Sequence, residues 1–144
     1  MAIFLDTGFY LGLIHKNDEN FDVAQEWLKK IQLGVYGQIY TSNYVIAETA
    51  TLVAVRTRGS ILALEKTRNL LKGDLQIATI LYVSEDEETS CWDLFSKLAT
   101  ANELFTKDGI ISYVECTNIT LCTTHSIEYI ASFDGHYKGW LNYP

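Results

Sequence analysis

The stretch AIFLDTGFYLGL, Ala2 to Leu13, decides how the chain is read, because two apolar runs meet there at a single carboxylate, Asp6. Ile3, Phe4 and Leu5 read as a short, fully buried strand, and Phe9, Tyr10, Leu11, Leu13 and Ile14 as the first turns of a helix. Asp6 therefore falls at a strand-to-helix junction. In an open parallel α/β sheet, ligands bind at the carboxyl ends of the strands, so an acid at this junction is a candidate for chemistry. The question becomes which other acids meet it.

Downstream, His15 to Asn20 form a polar break, and a helix is predicted from about Phe21 to Ile31, where Phe21, Ala24, Trp27, Leu28 and Ile31 repeat at helical spacing. Gly34 and Gly37 precede a short strand, Gln38 to Tyr40, which runs into the helix-start signal Thr41, Ser42, Asn43. The next helix, Tyr44 to Thr57, is mostly apolar and has Glu48 as its only acid; Ala47, Thr49 and Ala50 are small and leave room beside it. Ser60 caps a further helix to Lys72, and Leu75 to Val83 reads as the third strand. The acidic run Ser84 to Glu88 complements the dipole at the start of a helix reaching about Asn102. Asp108 then leads into a helix predicted over Gly109 to Cys116, for which it also qualifies as N-cap. Ile127 to Phe133 is strand-like and ends in Asp134, so a second carboxylate leaves a strand end.

Strands alternating with helices predict an α/β sandwich around a mainly parallel sheet of four or five strands. The 144 residues, 48% of them hydrophobic, fit a single domain spanning 1–144. No apolar run reaches the roughly 18 residues of a spanning helix and the N-terminus lacks a signal-peptide pattern, so the expected location is the cytoplasm, away from membrane. Cys91, Cys116 and Cys122 are odd in number and form no CxxC pair, as expected of free thiols. Cys116, Cys122 and His125 lack the fourth ligand and spacing of a zinc site.

A net charge of −7 opposes a broad electrostatic grip on nucleic acid. The opposition lifts where acids gather around a divalent ion, which then becomes the largest local positive charge. Asp6, Glu48, Asp108 and Asp134 stand at element ends or on an otherwise apolar face. If they converge, their repulsion is relieved by a hard, oxygen-seeking cation, Mg²⁺ or Mn²⁺.

Four stretches, IFLDTGFYLGL at Ile3 to Leu13, TSNYVIAETATLV at Thr41 to Val53, LFTKDGIISYV at Leu104 to Val114 and ASFDGHYKGW at Ala131 to Trp140, occur in the order found in PIN-domain ribonucleases. The chain resembles that family, and most closely the VapC-like toxins of toxin–antitoxin pairs. The resemblance implies a PIN-like three-layer sandwich and a metal-dependent endoribonuclease in which Asp6, Glu48, Asp108 and Asp134 are the catalytic and metal-binding acids, with Thr7 and Asn43 as polar supports. It also implies an RNA substrate, a small antitoxin whose basic segment blocks the acidic site, and a homodimer, with the helix face Ile61 to Leu71 as a pairing surface. Arg56, Arg58, Arg68 and Lys138 are candidate phosphate contacts.

Two features depart from the family pattern: Lys107 precedes Asp108, and the interval to Asp134 is long, which places an extra loop or helix turn within Thr117 to Ser126. The Asp6-Thr7 opening also fits haloacid-dehalogenase phosphotransferases, but these need a second aspartate where this chain has Gly8. The rival reading is a PIN-like module that binds a protein partner and has weak or no catalysis.

Overall fold

A computed structural model describes all residues, 1–144. Strand β1 (Ala2–Leu5) is buried along its whole length and pairs in parallel with β2 (Gln38–Ser42) on one side and with β6 (Tyr129–Ala131) on the other; β3 (Thr79–Leu81) pairs in parallel with β2. The order β3-β2-β1-β6 means that the chain builds outward from β1 and returns to its other side for the last strand. The strand order therefore reverses between β1 and β6, and at such a reversal neighbouring connections diverge and open a crevice at the strand ends. Asp6 and Asp134 follow those two strands.

Six helices flank the sheet: α1 (Thr7–Ile14), α2 (Phe21–Gln32), α3 (Asn43–Arg56), α4 (Ile61–Lys72), α5 (Glu85–Thr100) and α6 (Tyr113–Thr124). Helix α1 is apolar and buried almost all round, and it packs against α2 and α3. Gly12 allows the close approach to α2, since a Cβ there would lie 3.0 Å from that of Ala24. Trp27 of α2 stacks on Phe133, just after β6, with ring centroids 4.7 Å apart, which fixes the strand end that carries Asp134. On the other flank α5 packs on α6, where Trp92 and Phe95 enclose the Tyr113 ring.

Three expectations need correction. Asp108 does not cap a helix over Gly109 to Cys116. Phe105–Thr106 (β4) and Gly109–Ile110 (β5) pair antiparallel as a short hairpin, with Lys107 and Asp108 at its turn and Gly109 at φ +113°. A side chain at Gly109 would be strained at that φ, so the residue belongs to a turn. Helix α6 starts only at Tyr113, where the Ser112 hydroxyl accepts the Glu115 N–H at 3.1 Å. The loop alternative within Thr117 to Ser126 also falls, because α6 runs unbroken to Thr124 and that stretch is almost entirely helix. The third strand, expected over Leu75 to Val83, contracts to Thr79–Leu81. It lies at the sheet edge, and Gln76 and Ala78 are joined in a local turn by a side-chain hydrogen bond.

Candidate functional site

Parallel pairing of Leu5 with Ala131 brings Asp6 beside Ser132. The Asp6 carboxylate is 7% exposed and accepts three hydrogen bonds: from Thr7 N–H at 2.8 Å, from Asn118 Nδ2 of α6 at 3.0 Å and from Ser132 Oγ at 2.7 Å. Ser132 Oγ also accepts the Asp134 N–H at 3.1 Å, so one hydroxyl joins the two acids that leave the adjacent strand ends. Asn118 Nδ2 donates in addition to the buried Tyr137 hydroxyl at 2.8 Å. Burial outweighs the donors around Asp6 and pushes its carboxyl from 3.8 up to about 6, with a smaller upward push from Glu48.

Helix α3 supplies Glu48, whose Oε2 accepts from Thr7 Oγ1 at 2.6 Å. Thr7 thus serves two carboxylates, one through its backbone N–H and one through its hydroxyl. Asn43 does something else: its Oδ1 accepts the Val83 N–H at 3.1 Å and ties the start of α3 to the segment after β3, outside the acidic cavity.

The acid that sequence reasoning missed is Glu115. It lies on the first turn of α6, half-buried, with Oε2 2.6 Å from His136 Nδ1. The same nitrogen lies 2.9 Å from Asp134 Oδ1. Burial, and then the Asp134 charge, hold the Glu115 carboxyl well above its ordinary 4.5, and His136 only partly offsets them. Asp134 is fixed by its own turn: Oδ1 accepts the His136 N–H at 2.9 Å, and its carbonyl accepts from the Tyr143 hydroxyl at 2.5 Å. The signal for Glu115 was present as Ser112-x-x-Glu115, a helix start followed three residues later by an acid. Ser132 and Asn118 carry no comparable signal, because their role depends on strand register and helix docking.

Asp108 stands apart from this knot of acids. It is exposed at the hairpin turn, with Oδ2 over Gly135, where a Cβ would meet it at 3.5 Å. It still contributes to the wall of the cavity, of about 830 Å³, that Asp6, Thr7, Glu48, Glu115, Ser132 and Asp134 line. Among the phosphate candidates, Arg56 and Lys138 also line that cavity, whereas Arg58 and Arg68 do not. Arg56 pairs with Asp18 at 3.4 Å. Glu19 adds a further acid, so the cavity gathers six carboxylic side chains against the cations Arg56 and Lys138. Convergent oxygen donors with too few counter-charges are what a divalent ion requires, and these residues fit one. The cysteines do not enter the site; all three are free and buried.

The family model described as PIN domain matches residues 3–139. Among solved structures, the chain is similar to the Mycobacterium tuberculosis toxin VapC20, described as cleaving the sarcin-ricin loop, with TM-score 0.74, 22% identity, and coverage of 95% of this chain and 93% of that one. It is also similar to Rickettsia felis VapBC2 bound to a promoter DNA fragment, with TM-score 0.69, 16% identity and coverage of 100% and 98%. Neisseria gonorrhoeae FitAcB gives TM-score 0.69, 16% identity and coverage of 98% and 95%. At these identities the likeness establishes the fold. No curated protein matches the sequence.

The buried Asp6 carboxyl yields a pH test on the metal-free protein. A folded-state pKa raised from 3.8 to about 6 gives stability that is present below 3.8 and lost as pH rises through 6. Asp6→Asn cannot ionise, so in urea unfolding with chelator present the wild type should lose about 3 kcal/mol relative to Asp6→Asn between pH 3.8 and pH 6.5. A difference that stays flat across this window would contradict the assignment of Asp6 as a desolvated acid.

Proposed function

The chain belongs to the PIN-domain family, and on that footing we propose that it is a divalent-metal-dependent endoribonuclease, the toxin of a VapBC-type toxin–antitoxin pair. The observation that carries this reading is the convergence of Asp6, Glu48, Glu115 and Asp134 on one cavity at the carboxyl ends of β1 and β6. In it Glu115 takes the place that the sequence resemblance gave to Asp108. Glu115 shares His136 with Asp134, whereas Asp108, although it reaches the same cavity wall, lies exposed at the hairpin turn. Counting from Glu115 also shortens the interval to Asp134, from 26 positions to 19.

A bound Mg²⁺ or Mn²⁺ would polarise the phosphodiester and lower the pKa of a coordinated water. Asp6, Glu48, Glu115 and Asp134 would hold it. The remaining work falls to side chains whose partners limit what they do. Thr7 Oγ1 and Ser132 Oγ donate to Glu48 and Asp6 and so hold those carboxylates in position. Burial raises the thiols of Cys91, Cys116 and Cys122, which keeps them protonated and inert. In this reading the attacking group is water. Three donors fix Asp6, so the oxygen positions around the reacting phosphate are set before substrate arrives. Lys138 and Arg56, on the cavity wall, are placed to meet flanking phosphates.

The antitoxin belongs to the same reading. A cavity dominated by carboxylates suits a basic segment, and the solved VapBC2 and FitAcB assemblies share this fold. No helix of the chain is long and apolar enough to cross a membrane, which is consistent with a cytoplasmic toxin. A homodimer through α4 is supported by Ile61 and Leu62, apolar yet 68% and 79% exposed. Light scattering should give twice the chain mass for the wild type and the chain mass for Leu62→Glu. A wild type that stays monomeric at high concentration contradicts this surface.

Cleavage of a panel of structured RNAs with added Mg²⁺ or Mn²⁺ tests the activity. Glu115→Gln should lower the rate on the order of 100-fold or more, Asp108→Asn by less than about tenfold, and added antitoxin should suppress cleavage. Equal loss in both variants would restore Asp108 to the site. No cleavage by the wild type with saturating metal would favour the protein-binding module over the enzyme.

A further inference from the structure

His136 is the one imidazole inside the acidic cluster, and its surroundings are specific. Its side chain is 5% exposed, and Nδ1 lies 2.6 Å from Glu115 Oε2 and 2.9 Å from Asp134 Oδ1. One ligand atom from each of these three residues falls within 4.8 Å of the others, a spacing that admits a single ion. The other ring nitrogen, Nε2, is 2.9 Å from Thr106 Oγ1. That hydroxyl donates to the Gly109 carbonyl at 3.0 Å and accepts the Asp108 N–H at 3.2 Å, so its hydrogen is already used. Toward His136 it then accepts in the tautomer that carries the ring hydrogen on Nε2, the tautomer that leaves Nδ1 free to bind a cation. Nδ1 then faces two carboxylate oxygens, and three electron-rich atoms at these distances need a positive centre among them, a proton or a cation.

An imidazole whose second N–H is held by a hydroxyl is also the arrangement that orients histidine as a metal ligand. We infer that His136 is a protein ligand, through Nδ1, of the divalent cation held at Glu115 and Asp134, and that this nitrogen biases the site toward Mn²⁺ over Mg²⁺. The inference rests on the metallonuclease reading and adds a residue and a selectivity to it. The selectivity follows from chemistry. Mg²⁺ prefers oxygen donors and near-ideal octahedral geometry, whereas imidazole nitrogen binds transition ions more strongly than it binds Mg²⁺. It also gives the β4–β5 hairpin a purpose, because Thr106 reaches the ligand from that hairpin and fixes the ring from outside the cavity.

The test uses the intact chain loaded with Mn²⁺ alone and reads binding rather than cleavage. Pulsed electron paramagnetic resonance of the wild type should show coupling of Mn²⁺ to an imidazole nitrogen, lost in His136→Gln. Calorimetry should show Mn²⁺ affinity falling about 10- to 100-fold in His136→Gln while Mg²⁺ affinity changes by less than about threefold. The wild-type spectrum needs no variant, so a poorly folded His136→Gln does not shield the inference. Saturable Mn²⁺ binding without nitrogen coupling overturns the inference and leaves the metallonuclease reading standing. Absence of any saturable Mn²⁺ or Mg²⁺ binding overturns both.

Discussion

A single hydroxyl holds the two ends of the fold's chemistry together. Ser132 donates to Asp6 and accepts from the backbone of Asp134, and it does so because β1 and β6 are parallel neighbours in one register, Leu5 opposite Ala131. A slip of one residue would turn every side chain of β6 to the opposite face and break both bonds. The register is held by burial: Ile3, Phe4, Leu5, Ile130 and Ala131 are all fully enclosed, so no slipped arrangement keeps the same core. The site thus depends on the sheet before it depends on any acid.

The acids themselves work against the fold. Asp6 is desolvated beyond what its three donors offset, and Glu115 is raised by burial and by Asp134 beside it. Charges enclosed at this density destabilise a metal-free protein and create demand for a cation. They also resolve the conflict between net charge and substrate class. A chain with net charge −7 is a poor general binder of RNA, but its cavity concentrates that charge where a divalent ion reverses the local sign.

The parts of this architecture set by local pattern were legible in the sequence. Apolar runs identified β1 and β6 and placed Asp6 and Asp134 at their ends, and the lone carboxylate of an apolar helix identified Glu48. The local structure around Asp108 was misread for a physical reason. Asp108 before Gly109 looks like a helix start, but Gly109 adopts a positive φ that ends a hairpin turn, and the true start is Ser112, three residues before Glu115. Asn43, read as a support for the acids, bonds instead to Val83, because the start of α3 lies next to the end of β3. Contacts such as Asn118 with Asp6, 112 positions apart, arise from docking α6 against the strand ends, and no local pattern announces them.

The central claim is that the acids at the ends of β1 and β6, with Glu115 among them, form one cation site. Anomalous diffraction from crystals soaked in Mn²⁺ addresses it most directly. A peak is expected between the carboxylates of Asp134 and Glu115, within the cavity that Asp6 and Glu48 share. A soaked crystal with no peak there, or with its only peak on the exposed side of Asp108, would contradict it.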